Sequence, residues 1–299
     1  GAAVASCFDG YPISTSGQAE AALAISAIAS FIGGLIATIA FVAVAVPVAR
    51  FALKFGPPEY FMLMCFALAA TAAISKEAML KGLLSMCLGL MIATVGIDPQ
   101  SGAIRFTFGV TALQTGIDFV VVIIGGYGLG EVFHNMDHIR SDVAVKVQSK
   151  FGRIWVTMAQ FKRCWWPMIR QTPVGFFVGV LPGAGATIAA LMAYNNEKQL
   201  SKNPENFGKG EIVGLAAPEA ANNACSVGAL IPMMTLGVPG SGTTAVMLGA
   251  LMILGLQPGP LLFQQHADIA WTVIASMFLG NVACAFINIP LASLLVRVL

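Results

Sequence analysis

The sequence contains few charged residues, and this scarcity argues against a soluble domain. Only 10% of its residues are charged, whereas soluble domains carry about 25% charge. The net charge of +2 gives no reason to expect a nucleic-acid partner, because nucleic-acid-binding domains present a basic patch. The six cysteines form no CxxC pair. We therefore interpret them as packing residues and expect no disulfide framework.

The chain is rich in apolar residues. They make up 57% of the chain, and the mean hydropathy is +0.82. Apolar runs of at least 18 residues, the length of a membrane-spanning helix, recur between short polar interruptions. Glycine and proline occur inside these runs, which favours broken helices over plain rods. We predict an all-α, polytopic integral membrane protein with discontinuous (broken or re-entrant) helices.

The stretch from Pro218 to Pro260 carries most of the functional information. It is apolar and rich in small residues, and Gly237, Pro239 and Gly240 interrupt it. Backbone freed by such a break must be buried in protein or line a wet cavity, because a bilayer core offers no water. We expect Pro218 in the first turn of one helix, an end or kink at Pro232, and a second helix starting near Ser241 or Thr243.

The polar residues on both sides of this break are candidate ligands. A helix N-terminus at membrane depth binds anions, and broken helices hold carboxylates in this way in secondary transporters. Asn222 and Asn223 offer amide donors and acceptors, or they hydrogen-bond between helices as structural glue. The hydroxyl groups either bind substrate or cap the second helix. The predicted substrate-binding residues on the second side are Gly240, Ser241, Gly242, Thr243 and Thr244.

A second break is predicted at Leu181–Thr187, where Pro182 and Gly183 line the same cavity. The glycines do not form a nucleotide-binding loop, because no Lys-Ser/Thr follows them.

Two acidic residues are candidates for ion coupling. Glu219 is either a coupling carboxylate or an acid in the first turn of a helix at the membrane interface. Asp9 either faces a cavity or belongs to an Asp-Gly-Tyr-Pro turn. His134 and His138 do not form an HExxH motif, and we interpret them as a solvated helix end, with no metal site.

The segment 134–172 is the one clearly polar region, with seven basic residues against two acidic ones. This excess places it in the cytoplasm. Aromatic and apolar residues recur at helical spacing in its second half, which indicates an amphipathic helix on the membrane surface or against the bundle. The predicted units are 1–133, this connector at 134–172, and 173–299.

Long motifs of this chain resemble the large membrane subunit of the tripartite tricarboxylate transporters, the TctA family. The longest runs from Leu181 to Phe263 and includes LPGAGATIAALMAY, PEAANNACSVGALIPMM and LGVPGSGTTAVMLGALMILGLQPGP. The shorter motifs FDGYP, GPPEYFML, GIDPQSGAIRFTFGV and GEVF match upstream in the same order. The resemblance covers nearly the whole chain. It implies two pseudo-symmetric repeats, of which 1–133 is the remainder of the first and 173–299 is the second. The first-repeat Pro-Gly motif would lie before Gly1, so we expect the chain to be an internal part of a longer protein.

The resemblance also implies a function. The family works in the bacterial inner membrane with a small membrane subunit and a periplasmic solute-binding protein that delivers a carboxylate such as citrate. A sodium or proton gradient drives this symport, and no cofactor is implied. The alternative is a carboxylate carrier independent of a binding protein, or an ion channel. An intramembrane enzyme is disfavoured, because the three histidines lie outside the apolar spans.

Overall fold

The computed structural model describes residues 4–74, 79–98, 102–117, 121–122, 125, 133, 136, 156–181 and 185–298. The described chain is helical apart from one short hairpin, β1 (Gly96–Ile97) and β2 (Ile104–Arg105), whose strands pair antiparallel. The helices of the first part are α1 (Val4–Ile13), α2 (Ala19–Ala52), α3 (Pro57–Ile74) and α4 (Met79–Ala93). Those of the second part are α5 (Met158–Val180), α6 (Gly185–Leu200), α7 (Ile212–Gly228), α8 (Leu230–Leu236), α9 (Gly242–Ile253), α10 (Leu262–Gln265) and α11 (Ala267–Val298).

Two of these segments meet the length and hydropathy of a membrane span within the described residues. One is Val4–Ala52, which comprises α1, a π-helical segment at Ser14–Gln18 and α2. The other is Ala267–Asn288 in α11. Helices α4 and α9 are apolar but shorter. The all-α prediction is therefore confirmed, and the number of membrane passes stays a prediction.

Helix α7 lies at the centre of the bundle. It packs against α5, α2, α6 and α1, and nearly every turn contributes buried residues. The reason is its composition: five alanines and two glycines are among its 17 residues, so neighbouring helices can approach on several sides.

Glycines on the neighbouring helices bring their backbones against α7. A Cβ atom at Gly175 or Gly179 of α5 would collide with the carbonyl oxygens of Ala221 and Cys225, one turn apart on α7. Gly33 of α2 meets the carbonyl of Ala220 in the same way. This is the packing of the small-xxx-small motif, in which missing side chains let two helices touch through main-chain atoms.

Three local sequence predictions differ from the structure. The Asp-Gly-Tyr-Pro segment is not a turn, because it lies inside α1. Pro218 is not in a first turn, since α7 begins at Ile212. Glu219 therefore occupies the middle of the helix, and its interpretation as a first-turn acid is wrong. Neighbouring small residues keep the helix continuous where Pro218 removes one N–H donor.

The two predicted helix breaks are present. The helix that starts at Ile212 is interrupted at Ala229. Pro232 has no N–H group, so it cannot form the helical hydrogen bond to the Gly228 carbonyl four residues earlier. Gly237 then ends α8 in the left-handed conformation at φ 71°. The other break separates Val180 of α5 from Gly185 of α6. Helix α5 starts inside the predicted connector and continues past residue 173.

The glycine contacts predict that Gly179→Ala destabilises the protein. The new methyl group would meet the Cys225 carbonyl, and overpacking against a rigid neighbour costs about 1–3 kcal/mol. Thermal unfolding of the detergent-purified protein, followed by tryptophan fluorescence, measures the effect.

The matched control is Gly89→Ala in α4, where a Cβ atom would meet no described residue within 4 Å. This control should keep or raise the midpoint, because alanine favours helix over glycine. Equal midpoints for the two variants would contradict the packing argument.

Candidate functional site

A cavity of ≈ 570 Å³ opens where the two helix breaks meet the long helices. This volume is within the range of about 300–1,000 Å³ that is usual for small-molecule sites. Its walls come from α2, α6, the α7–α8 segment, α9 and α11. The lining residues with polar side chains are Thr38, Asn222, Asn223, Ser226, Ser241, Thr243, Thr244 and Asn281.

The N-terminus of α9 forms one wall. Ser241 is its N-cap, and a reciprocal capping box joins it to Thr244: Ser241 Oγ accepts from the Thr244 N–H at 3.3 Å, and Thr244 Oγ1 accepts from the Ser241 N–H at 2.8 Å. The predicted helix start is confirmed. The N–H groups of Gly242 and Thr243 have no helical acceptor in this position, and the Thr243 side chain is exposed to the cavity.

Asn222 and Asn223 line the cavity from α7. The amide nitrogen of Asn223 donates to the Glu219 carbonyl at 3.1 Å, which leaves its amide oxygen available. The side chain of Asn222 makes no hydrogen bond with the part of the protein that the structure describes. A polar group half-buried in this way retains its capacity to bind a ligand or water.

The start of α6 forms a third wall. Gly185, with φ 68°, and Ala186 both line the cavity. Pro182 and Gly183, predicted to line it, lie outside the described residues, as do His134 and His138. Gly240 is buried against Ala229, and Gly242 is the first residue of α9; neither is among the lining residues.

The sequence reasoning did not predict the wall formed by α2 and α11. Asn281 of α11 donates to the Phe31 carbonyl of α2 at 2.9 Å. A Cβ atom at Gly34 would lie 2.7 Å from the Asn281 amide oxygen, so a larger residue there would displace this amide group. Thr38 bonds the Gly34 carbonyl at 2.7 Å. The available signal was an asparagine within the last apolar run.

None of the described lining residues carries a charge. The polar groups are amides, hydroxyls and helix N–H groups. These groups can hydrogen-bond a carboxylate. They supply only the partial positive charge of a helix N-terminus, about half an elementary charge, which does not neutralise it. A bound anion in this cavity would therefore favour a cation nearby.

Comparison with known proteins now assigns the family. The family model of the tripartite tricarboxylate transporter TctA family matches residues 1–299. The chain belongs to the TctA family.

Two curated relatives come from Agrobacterium vitis. An uncharacterised 52.8 kDa protein in the TAR-I ttuC' 3' region is 40% identical over 292 residues, which is 97% of this chain and 58% of the relative. An uncharacterised protein in the TAR-II ttuC' 3' region is 43% identical over 125 residues, which is 42% of this chain and 52% of the relative. The TctA-family chain thus spans between half and two thirds of the length of the first relative. No solved structure matches it.

Glu219 of this TctA-family chain lies beside the cavity and joins three helices. Its carboxylate accepts from Ser6 Oγ of α1 and from Ser30 Oγ of α2, each at 2.9 Å. It is one turn from Asn222 and Asn223 along α7. Two serine hydroxyls therefore compensate a carboxylate that no lysine or arginine pairs with among the described residues.

Asp9 serves a different part of the TctA-family fold. Its Oδ1 atom accepts from the backbone N–H groups of Gly208, Gly210 and Glu211 at 2.8–2.9 Å. The residue is fully buried and is not among the residues that line the cavity. The carboxylate thereby fixes the loop that leads into α7 and places negative charge at that helix N-terminus.

This arrangement predicts that Asp9→Ala lowers stability. Three backbone N–H groups would lose the acceptor that they share, at a cost of about 1–3 kcal/mol. Asp9→Asn keeps an acceptor oxygen and should lie between wild type and Asp9→Ala. Thermal unfolding of the purified protein measures the order. A normal unfolding midpoint for Asp9→Ala, together with lost uptake, would instead assign Asp9 to ion coupling.

Proposed function

We propose that this protein is the large membrane subunit of a secondary transporter that takes up tricarboxylates or related carboxylates. In this proposal it is a multi-pass protein of the bacterial inner membrane. It works with a small membrane subunit, and a periplasmic solute-binding protein delivers the substrate. Membership of a transporter family and two apolar membrane-length segments support this assignment.

The observation that carries the proposal is the convergence of helix N-termini and neutral polar side chains on one cavity. The first turn of α9 offers two N–H groups, and the start of α6 faces the same space. Asn222, Asn223 and Thr243 add donors without adding charge. Helix ends and side-chain dipoles at membrane depth bind the carboxylates of transported substrates in this way.

The uncharged lining also supports ion coupling. A multivalent carboxylate would add negative charge that the cavity residues do not neutralise, so a co-transported Na⁺ or H⁺ would lower the energy of the loaded state. Glu219 is the nearest acidic residue on the wall helix α7, and it bridges α1, α2 and α7 through its two serines. We assign it the coupling role because a cation there would sit beside the substrate.

The substrate assignment predicts that Asn222→Ala weakens uptake. Losing one hydrogen bond to a charged ligand costs about 1.5–3 kcal/mol, and every 1.4 kcal/mol is about tenfold in affinity. The KM for the labelled carboxylate should therefore rise at least tenfold. Uptake by proteoliposomes that contain the intact transporter and its binding protein, across a panel of carboxylates, measures the change.

The matched control is Asn195→Ala, an exposed asparagine of α6 outside the cavity. It should leave KM unchanged. Unaltered uptake by Asn222→Ala at normal membrane abundance would show that this amide is not a ligand. Uptake that needs no binding protein would favour an independent carrier or a channel.

The coupling assignment predicts that Glu219→Gln uncouples uptake from the ion gradient. The variant preserves size and one acceptor oxygen, and its amide NH₂ can donate to the other serine hydroxyl, but it removes the charge that attracts the cation. Uptake driven by an imposed Na⁺ or pH gradient should fall at least about tenfold, with substrate binding at equilibrium less affected. Glu205→Gln, an exposed position after α6, is the control. Retained dependence on the same ion in Glu219→Gln would exclude this role.

A further inference from the structure

A second, polar pocket lies at the other end of α5 and α6 from the cavity. Its volume is ≈ 210 Å³, and three basic residues line it: Arg163 and Arg170 of α5 and Lys202 after α6. Gly185 lines the cavity and Glu197 lines this pocket; their separation along α6 corresponds to about 18 Å at 1.5 Å per residue. The two sites are therefore distinct.

Both acidic residues of the basic pocket already have partners. Glu197, only 3% exposed, accepts two hydrogen bonds from Arg170, at 2.6 and 3.0 Å, and one from Gln171 at 2.6 Å. Glu211 accepts from Arg163 at 2.7 and 2.9 Å and from the Val213 N–H at 3.3 Å. These contacts hold the two guanidinium groups in place and use up much of the acceptor capacity of the carboxylates.

Donors remain on the basic side. Each arginine uses at most two of its three guanidinium nitrogens in these pairs, so N–H groups are left over on both. Lys202 is exposed and forms no ion pair with any residue that the structure describes. The pocket thus presents fixed donors and one ammonium group, the arrangement that suits a phosphate group.

The surroundings match the headgroup region of a bilayer. Trp165 and Trp166, on the same helix as the arginines, are 45% and 62% exposed. Trp166 lies three residues after Arg163 and four before Arg170, so it is next to both arginines on the surface of α5. Exposed tryptophans mark the membrane–water interface, and a basic pocket at that level meets lipid headgroups.

We propose that the basic pocket of Arg163, Arg170 and Lys202 binds the phosphate group of an anionic phospholipid, with the lipid beside Trp166. This inference rests on the membrane placement proposed above. It gives the α5–α6 end of the bundle a fixed position at the interface. A basic pocket between helices on the cytoplasmic side recognises anionic headgroups by charge as well as by hydrogen bonding.

The test measures lipid binding directly, without transport. The intact transporter in detergent is titrated with phosphatidylglycerol or phosphatidylcholine, and bound lipid is counted by native mass spectrometry. We expect phosphatidylglycerol to bind more tightly than phosphatidylcholine. Lys202→Gln should weaken phosphatidylglycerol binding about fivefold, the effect of one basic residue near an anionic surface.

Lys209→Gln is the matched control, because this exposed lysine of the same loop does not line the pocket. Equal weakening by both variants, or equal binding of the two lipids, would overturn the proposal. Displacement of the lipid by millimolar inorganic phosphate would overturn its lipid part and assign the pocket to a soluble phosphate. If the wild-type transporter bound phosphatidylglycerol but took up no carboxylate, the proposed transport function would fail and the lipid proposal would stand.

Discussion

Contact between helix backbones around α7 is the constraint on which the rest of the described structure depends. Gly33, Gly175 and Gly179 leave no side chain between their helices and α7, so carbonyl oxygens of α7 lie directly against them. In a chain with this little charge, dispersion between closely packed surfaces has to hold the helices together. The same close packing fixes the orientation of α7 and therefore the side on which Asn222 and Asn223 line the cavity.

The cavity follows from that packing and from the two helix breaks. Neighbouring helices cover α7 on several sides, and Asn222 and Asn223 line the cavity. The first residues of α6 and α9 line the same cavity. The break at Gly237 turns the chain so that the capped N-terminus of α9 points to the same space. Neutral donors then surround the cavity in which we propose that a carboxylate and a coupled cation bind.

The described charged residues lie outside the cavity lining, and three acidic residues near the start of α7 have specific partners. Asp9 holds the loop before α7, Glu211 caps that helix and pairs with Arg163, and Glu197 pairs with Arg170. These groups lie at the polar end of the bundle, where the donors that bond them offset part of the cost of burying their charge. Glu219 differs from them: it is one turn from the cavity residues Asn222 and Asn223 and accepts from two serine hydroxyls.

The sequence alone determined the features that depend on near neighbours in the chain. Its low charge and its apolar runs indicated the helical class, the glycines and prolines located both breaks, and the hydroxyl residues Ser241 and Thr243 indicated where α9 starts. Long-range packing decided the rest. Pro218 stays inside a helix because neighbouring helices surround it, Asp9 and Glu219 obtain partners about 200 residues away, and Asn281 meets Phe31 across 250 residues. Local sequence patterns do not predict such pairs, because the paired residues belong to distant segments with no common periodicity. The residues meet only because the helices pack closely together.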